Sequence, residues 1–131
     1  MNIEDQVVSV EVAKKLKEIG VEQDSLWKWC IQEGVARCYT WFERKIQAWG
    51  KVEEEYSAFT VAELMEQLPA AIETKAGRYR LTIEKYEHLW CVSYTGTAGD
   101  ALETILNRKL ADALAGMLLW VYEDRELKVR R

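Results

Sequence analysis

The stretch Arg78–Tyr94, RYRLTIEKYEHLWCVSY, decides the fold class because apolar and polar side chains alternate through it twice. A period of two is typical of a strand with one buried face, so the stretch predicts two antiparallel strands with a turn at Tyr86–His88. A short strand over Ala71–Glu73 would extend this hairpin to a three-stranded meander. The predicted buried face carries Tyr79, Leu81, Ile83, Trp90, Val92 and Tyr94.

A second hairpin is predicted earlier in the chain, over Leu26–Trp41. Glu33-Gly34 fits a tight turn that requires a positive φ. A two-residue loop at this point would place Trp29 opposite Cys38 in the neighbouring strand. Because side chains alternate across a sheet, Trp27 would share the sheet face of Trp29.

Two short helices are predicted from apolar side chains that recur every three or four residues. Ser9 is a good N-cap for the first helix, and Gly20 supplies the left-handed residue that ends it. Thr60-Val-Ala-Glu63 is a capping box for the second helix, which ends at Pro69.

A long helix is predicted from Asp100 to Glu123, where apolar side chains form a continuous stripe. Asp100 and Glu103 resemble a capping pair, and Gly96–Gly99 is then a loop from strand to helix. A second helix could begin at Asn107 and divide the stripe, so the sequence is compatible with either one helix or two.

This order of elements predicts an α+β fold. An antiparallel sheet, either two hairpins or a hairpin and a meander, would carry the long C-terminal helix and two shorter helices on one face. Its length predicts a single domain over residues 1–131, with a charged, frayed tail over 125–131. Residues 43–57 show no clear period and are interpreted as a long loop with room for a helical turn, a kind of segment that is often functional.

The composition limits the location and the partners of the protein. The chain begins with the acidic MNIEDQ and no apolar signal segment, and its longest C-terminal apolar run, Met117–Tyr122, is too short to span a bilayer. Three cysteines without CxxC spacing are typical of reduced thiols, so we expect a cytoplasmic protein with no membrane contact. A net charge of −4 does not attract nucleic acid over long range.

Catalytic motifs are missing from the sequence, which has no GxSxG, HExxH, Walker or dinucleotide-binding pattern. His88 is the single histidine and leaves little general-base capacity near neutral pH. We therefore expect no enzyme, no cofactor and no metal. A cluster of Glu84, Glu87 and His88 is the least favoured alternative, for an enzyme or a cation site.

Aromatic side chains are abundant and are the first candidates for contact with a protein partner. Of the six tryptophans, Trp90 and Trp120 lie on apolar stripes and are expected in the core. Exposed aromatic patches often mark interfaces. The candidate partner contacts are Trp27, Trp29, Trp41 and Trp49. We therefore expect a non-enzymatic interaction module that binds a protein partner or itself.

Nucleic-acid binding is the alternative function. Arg78 and Arg80 project from the same side of one predicted strand, with Lys85 beyond them. Nucleic-acid binding sheets combine such cations with exposed stacking aromatics. Tyr79, between the two arginines, is expected to face the other way.

Several stretches resemble small proteins encoded in phages and prophages of low-GC Gram-positive bacteria. They are FTVAELMEQLP (Phe59–Pro69), LADALAGMLLWVYE (Leu110–Glu123), the Tyr79–Tyr94 hairpin, KEIGV (Lys17–Val21) and SLWKW (Ser25–Trp29). The resemblance covers most of the chain and rests on caps, stripes and alternation. It implies an intracellular accessory protein of a mobile element and transfers no activity or functional residue.

Overall fold

The computed structural model describes residues 2–40 and 52–124, and this part of the chain contains three α-helices and seven strands. The helices are α1 (Val10–Glu18), α2 (Val61–Gln67) and α3 (Leu110–Glu123), and a 3₁₀ turn, Ile3–Asp5, precedes α1. The strands are β1 (Trp27–Gln32), β2 (Val35–Thr40), β3 (Glu54–Ser57), β4 (Ala71–Thr74), β5 (Gly77–Lys85), β6 (Trp90–Gly96) and β7 (Ala101–Asn107). The α+β class and the order of the predicted elements are confirmed, and two further strands, β3 and β7, are added.

The first three strands form one antiparallel sheet in the order β2-β1-β3. The predicted register is confirmed, with Trp29 opposite Cys38 and Trp27 opposite Thr40. The two turn residues both have positive φ, 52° at Glu33 and 78° at the following glycine, as the tight turn requires.

Part of the predicted loop over 43–57 is a strand. Glu54–Ser57 pairs antiparallel with β1. Tyr56 and Ser57 at its end are buried, whereas Glu54 at its start is exposed. Because three glutamates precede Tyr56, this strand shows no alternation of apolar and polar residues and could not be predicted from that pattern. Residues 43–51 of the predicted loop lie outside the described residues, as do those of the 125–131 tail.

The other four strands form a second antiparallel sheet in the order β4-β5-β6-β7. The predicted hairpin is confirmed as β5 and β6, with its turn between Lys85 and Trp90. The predicted short strand is confirmed as β4, which completes the meander.

The prediction of helix over residues 100–107 is wrong, because Ala101–Asn107 forms the edge strand β7. The Gly96–Gly99 segment therefore joins two strands, and Gly99 turns the chain with φ 85°. Asp100 is not a helix cap, because a strand follows it. Its Oδ2 instead accepts a 2.7 Å hydrogen bond from the Tyr79 hydroxyl. A single helix, α3, follows at Leu110.

The caps of the two shorter helices are confirmed. Ser9 Oγ accepts a hydrogen bond from the Val12 N–H at the start of α1. Thr60 and Glu63 form the full capping box of α2, in which each side chain binds the other's backbone N–H. Gly20 follows α1 with φ 94°.

The core is built around α3, which packs on β6 and β7 and also on α1 and α2. The α1 helix in turn packs on β3, so the core continues to the three-stranded sheet. Gly116 lets α3 approach β7 closely, because a Cβ added there would lie 3.1 Å from Ile105 Cγ2. The buried side chains of α3 are Ala111, Ala113, Leu114, Ala115, Met117, Leu118 and Val121. Burial of each large one stabilises the fold by about 1.5–3 kcal/mol.

Candidate functional site

The four-stranded sheet has an inner face under α3 and an outer face that points away from it. Tyr79, Val92 and Tyr94 are buried on the inner face. The outer face carries the alternate side chains of the strands, which are exposed at its two ends and on β7 and half-buried or buried in the middle. Its members are Arg78, Arg80, Thr82 and Glu84 on β5, Cys91, Ser93 and Thr95 on β6, and Thr104 and Leu106 on β7.

One end of the outer face carries a cluster of apolar side chains, which we name the apolar end: Tyr86, Leu89, Cys91 and Leu106. Cys91 and Leu106 lie directly opposite each other on β6 and β7. Tyr86 and Leu89 close the adjacent turn through a 2.8 Å backbone hydrogen bond. Tyr86, Leu89 and Leu106 keep 54%, 37% and 56% of their surface exposed. The strand register makes them neighbours at this end of the outer face.

Charge changes sign along the outer face of β5. Arg78 and Arg80 occupy one end of the strand, and Glu84 lies at the other end, beside the apolar end. Arg78 Nη1 lies 3.5 Å from a carboxylate oxygen of Glu73 on β4, and both side chains are largely exposed. Such an exposed ion pair contributes little to stability, so Arg78 can exchange Glu73 for an acidic group of a partner at little cost.

The middle of the outer face is a row of hydroxyl groups that bind one another. The hydroxyls of Thr82 and Thr95 are 2.8 Å apart, and those of Ser93 and Thr95 are 2.9 Å apart. Thr82 also donates to the backbone oxygen of Ser93. Because these polar groups already have partners, a molecule that covers them leaves few hydrogen bonds unmade.

The tryptophans predicted as partner contacts are not gathered on one surface. Trp29 is buried in the core, where its Nε1 donates a 2.8 Å hydrogen bond to the backbone oxygen of Val8. Trp27 is half-buried and packs against the same core. Trp41 and Trp49 lie outside the described residues.

The two tryptophans expected in the core are both half-buried and pack against it. Trp120 lies at the C-terminal part of α3, with its ring 6.2 Å from the ring of Tyr94. Trp90 begins β6 on the inner face, opposite Lys85, whose Nζ lies 5.1 Å from the Trp90 ring centroid.

The three residues predicted to contact nucleic acid are divided between the two faces. Arg78 and Arg80 lie on the outer face, whereas Lys85 lies on the inner side at the opposite end of β5. Tyr79 faces inward as expected, and it is buried. The arginines therefore have no exposed stacking aromatic beside them on β5.

A cavity of about 630 Å³ opens at the inner side of the same sheet end. The first residues of α2 and α3, the 3₁₀ turn and the facing ends of β5 and β6 surround it. The charged and aromatic groups in its lining are Asp5, Lys85, Trp90, Arg108 and Lys109.

The predicted acid and histidine cluster is an exposed surface feature. His88 Nε2 lies 4.0 Å from a Glu87 oxygen, and the two side chains are 82% and 89% exposed. Glu84 instead accepts a hydrogen bond from the Tyr86 hydroxyl at 3.0 Å, which raises the pKa of that phenol. Within residues 2–40 and 52–124, no group of three or more potential ligands could hold a metal ion.

None of the helices in the described ranges combines the length and hydropathy needed to cross a membrane. No protein-family model, no curated protein and no solved structure matches the chain. The resemblance to phage and prophage proteins therefore stays a prediction.

The exposure of three residues of the apolar end was not predicted from the sequence. Leu106 was assigned to the stripe of a helix, and only the strand pairing shows that it points outward. Tyr86 and Leu89 were recognised as turn and strand positions, but their exposure depends on which face α3 covers. Two cations of the cavity were also missed, because Arg108 and Lys109 were placed inside a helix.

Proposed function

We propose that the protein is a non-enzymatic interaction module that associates with a second copy of itself through the outer face of the four-stranded sheet. The observation that carries this proposal is the apolar end, where three large apolar side chains remain exposed side by side. Neighbouring exposed apolar side chains rimmed by polar residues often mark a protein–protein interaction site. Single exposed residues such as Leu26, by contrast, are ordinary.

Charge complementarity favours a second copy as the partner. Arg80 and Glu84 lie two positions either side of Thr82 on one strand. If two outer faces pack antiparallel about a two-fold axis near Thr82, Arg80 of each copy faces Glu84 of the other. The apolar end of each copy then packs against the aliphatic part of the other copy's Arg78. Such an interface is isologous and pairs opposite charges twice.

The edge of β7 supports association by the face rather than by strand addition. At this edge the Thr104 N–H donates a 2.8 Å hydrogen bond to the Glu103 carboxylate and not to a neighbouring strand. An edge amide capped by a neighbouring charged side chain is protected against pairing with another strand. The outer face carries no such protection at its apolar end.

A cytoplasmic location is part of the proposal. None of Cys30, Cys38 and Cys91 is in a disulfide, which fits a reducing compartment. Cys91 lies within the apolar end, so the proposed interface would also shield this thiol.

Gel filtration with light scattering over a range of protein concentrations tests the proposal. The expected result is a dimer that dissociates on dilution, and that Leu106→Glu makes monomeric without unfolding. Leu26→Glu is the matched control, because Leu26 is 70% exposed away from the outer face. A wild-type chain that stays monomeric at every concentration, or equal effects of the two variants, would overturn the proposal.

Charge reversal distinguishes self-association from binding to a different protein. Arg80→Glu and Glu84→Arg should each weaken the dimer, because like charges then face each other across the two-fold axis. The double variant should recover the wild-type association, since both sides of each pair change together. A double variant weaker than either single variant contradicts the antiparallel arrangement.

Nucleic-acid binding through Arg78 and Arg80 stays an untested alternative. It predicts binding at low salt that weakens steeply as salt is raised. The absorbance ratio of the purified protein in the same gel-filtration runs reveals any nucleic acid that travels with it. Co-elution abolished by Arg80→Ala would favour this alternative over self-association.

A further inference from the structure

The cavity at the inner side of the sheet has the size and lining of a site for a small ligand. Its volume of about 630 Å³ lies within the range of about 300–1,000 Å³ typical of small-molecule pockets. Apolar side chains, among them Val61 and Leu110, make up part of the wall. The cavity is separate from the outer face, because Lys85 and Trp90 reach it from the inner side of β5 and β6.

The charge of the lining opposes the charge of the whole protein. The chain carries a formal net charge of −4, yet the cavity gathers Lys85, Arg108 and Lys109 against the single carboxylate of Asp5. The lining therefore has an excess of two positive charges. This excess matches the charge of about −1.5 to −2 on a phosphate monoester at neutral pH.

Each of the three cations keeps hydrogen-bond donors for a ligand. Lys109 Nζ is anchored by one 2.7 Å hydrogen bond to the backbone oxygen of Glu4, which leaves two of its three donors. Lys85 is placed by its contact with the Trp90 ring, 5.1 Å from the centroid. Arg108 is exposed, and its guanidinium makes no hydrogen bond or ion pair with the residues described in 2–40 and 52–124.

Trp90 adds a feature that a simple phosphate does not need. Its large ring lines the cavity beside the cations and is half-buried, so its orientation is held by the core. Lys85 Nζ lies over one face of this ring, so a flat aromatic ring of a ligand would meet Trp90 on its other face or at its edge, where aromatic pairs also interact favourably. The lining thus combines an anion-binding part with an aromatic part.

We propose that this cavity binds a small molecule in which a phosphate monoester is joined to a flat aromatic ring, the chemistry of a mononucleotide. Arg108, Lys85 and Lys109 hold the phosphate oxygens, and Trp90 contacts the ring. Asp5 also lines the cavity, and its carboxylate offsets one of the three positive charges. The site does not depend on the dimer, because none of these groups lies on the outer face.

Isothermal titration calorimetry with adenosine 5′-monophosphate, adenosine and inorganic phosphate as separate probes tests this proposal. The expected result is binding of the nucleotide at least about tenfold tighter than of either part alone. Arg108→Ala should weaken nucleotide binding at least about tenfold, since the variant loses a charge-assisted hydrogen bond to the phosphate. Lys75→Ala is the matched control, because Lys75 is an exposed cation at the β4–β5 turn, away from the cavity.

Three results would overturn the proposal. One is the absence of nucleotide binding at millimolar concentration in a protein that circular dichroism shows to be folded. Another is an equal loss of affinity in Arg108→Ala and Lys75→Ala, which would indicate only general attraction to surface cations. The last is inorganic phosphate binding as tightly as the nucleotide, because the ring would then contribute nothing. Leu106→Glu, which is expected to break the dimer, should leave nucleotide affinity unchanged, so the two proposals fail separately.

Discussion

The backbone N–H of Ser9 donates a 2.7 Å hydrogen bond to Oδ1 of Asp112, and 103 positions separate the two residues in the chain. Ser9 is the N-cap of α1, and Asp112 lies in the first turn of α3. One carboxylate therefore binds the start of one helix while its charge favours the N-terminus of the other. This bond ties the beginning of the described chain to the helix that fills its core.

Asp112→Ala is expected to lower the free energy of unfolding by about 2 kcal/mol, because the half-buried Ser9 N–H loses a charged acceptor. Urea unfolding followed by circular dichroism measures the change. Glu22→Ala serves as the control, since Glu22 is exposed and should shift the value by no more than about 0.5 kcal/mol. Equal midpoints for wild type and Asp112→Ala would mean that the bond contributes nothing to stability.

Glu63→Ala is expected to destabilise the fold more than the loss of a helix cap alone. Its Oε1 accepts hydrogen bonds from Ser25 Oγ and Thr60 N–H, both at 2.8 Å, and Oε2 accepts one from Leu26 N–H at 3.2 Å. Loss of a cap costs about 1 kcal/mol, and the unpaired groups near β1 should raise the total to about 2–3 kcal/mol. Chemical unfolding of Glu63→Ala beside Glu66→Ala, an exposed glutamate of the same helix, checks this. A cost in Glu63→Ala no larger than in Glu66→Ala contradicts the prediction.

Tyr56 should make the stability of the protein fall at high pH. Its hydroxyl donates a 2.6 Å hydrogen bond to Glu54, and this bond, followed by burial, raises the pKa of Tyr56 from 10.0 to about 12. Because the folded state holds the proton more tightly than the unfolded state, the contribution is complete below pH 10 and is lost between about pH 10 and 12. The difference in unfolding free energy between wild type and Tyr56→Phe should therefore shrink over this interval.

A spectroscopic titration of tyrosine tests the Tyr56–Glu54 hydrogen bond directly. Glu54→Gln removes the negative acceptor, so the tyrosinate absorbance of Tyr56 should appear at a pKa closer to 10.0. Glu66→Gln, on the exposed surface of α2, should leave the titration curve unchanged. A curve for Glu54→Gln that overlays the wild type would show that the carboxylate does not hold the phenol proton.

Local signals predicted the caps of the two shorter helices, the hairpins and the fold class, but they failed where strand pairing determines the structure, as at Asp100. In β7, Leu102 and Ile105 both pack against the core although they stand three residues apart. A bulge at the β6–β7 register shift between Tyr94 and Thr95 permits this spacing, which imitates a helical stripe. No pattern within residues 100–107 alone separates the two structures, because the deciding hydrogen bonds come from β6.

The candidate sites were less accessible to sequence reasoning than the fold. The proximity of Lys85 and Trp90 follows from the register of β5 and β6, and a reading of the hairpin could have found it. The position of Arg108 beside Lys85 and Trp90 in the cavity depends on where β7 ends, which the sequence did not indicate. Likewise, Trp29 became a core residue because α1 and β3 pack beside β1, and its aromatic character alone did not indicate this.

Within residues 2–40 and 52–124, every strand of both sheets precedes α3, and this order affects the protein while it is being made. A nascent chain that has reached Asn107 contains all seven strands, yet it has no helix to cover Val92 and Tyr94. At about 5–20 residues per second, synthesis of α3 leaves this apolar sheet open for roughly a second or more. Translation arrested near Asn107 would therefore release a chain that aggregates or occupies chaperones, instead of a smaller folded protein.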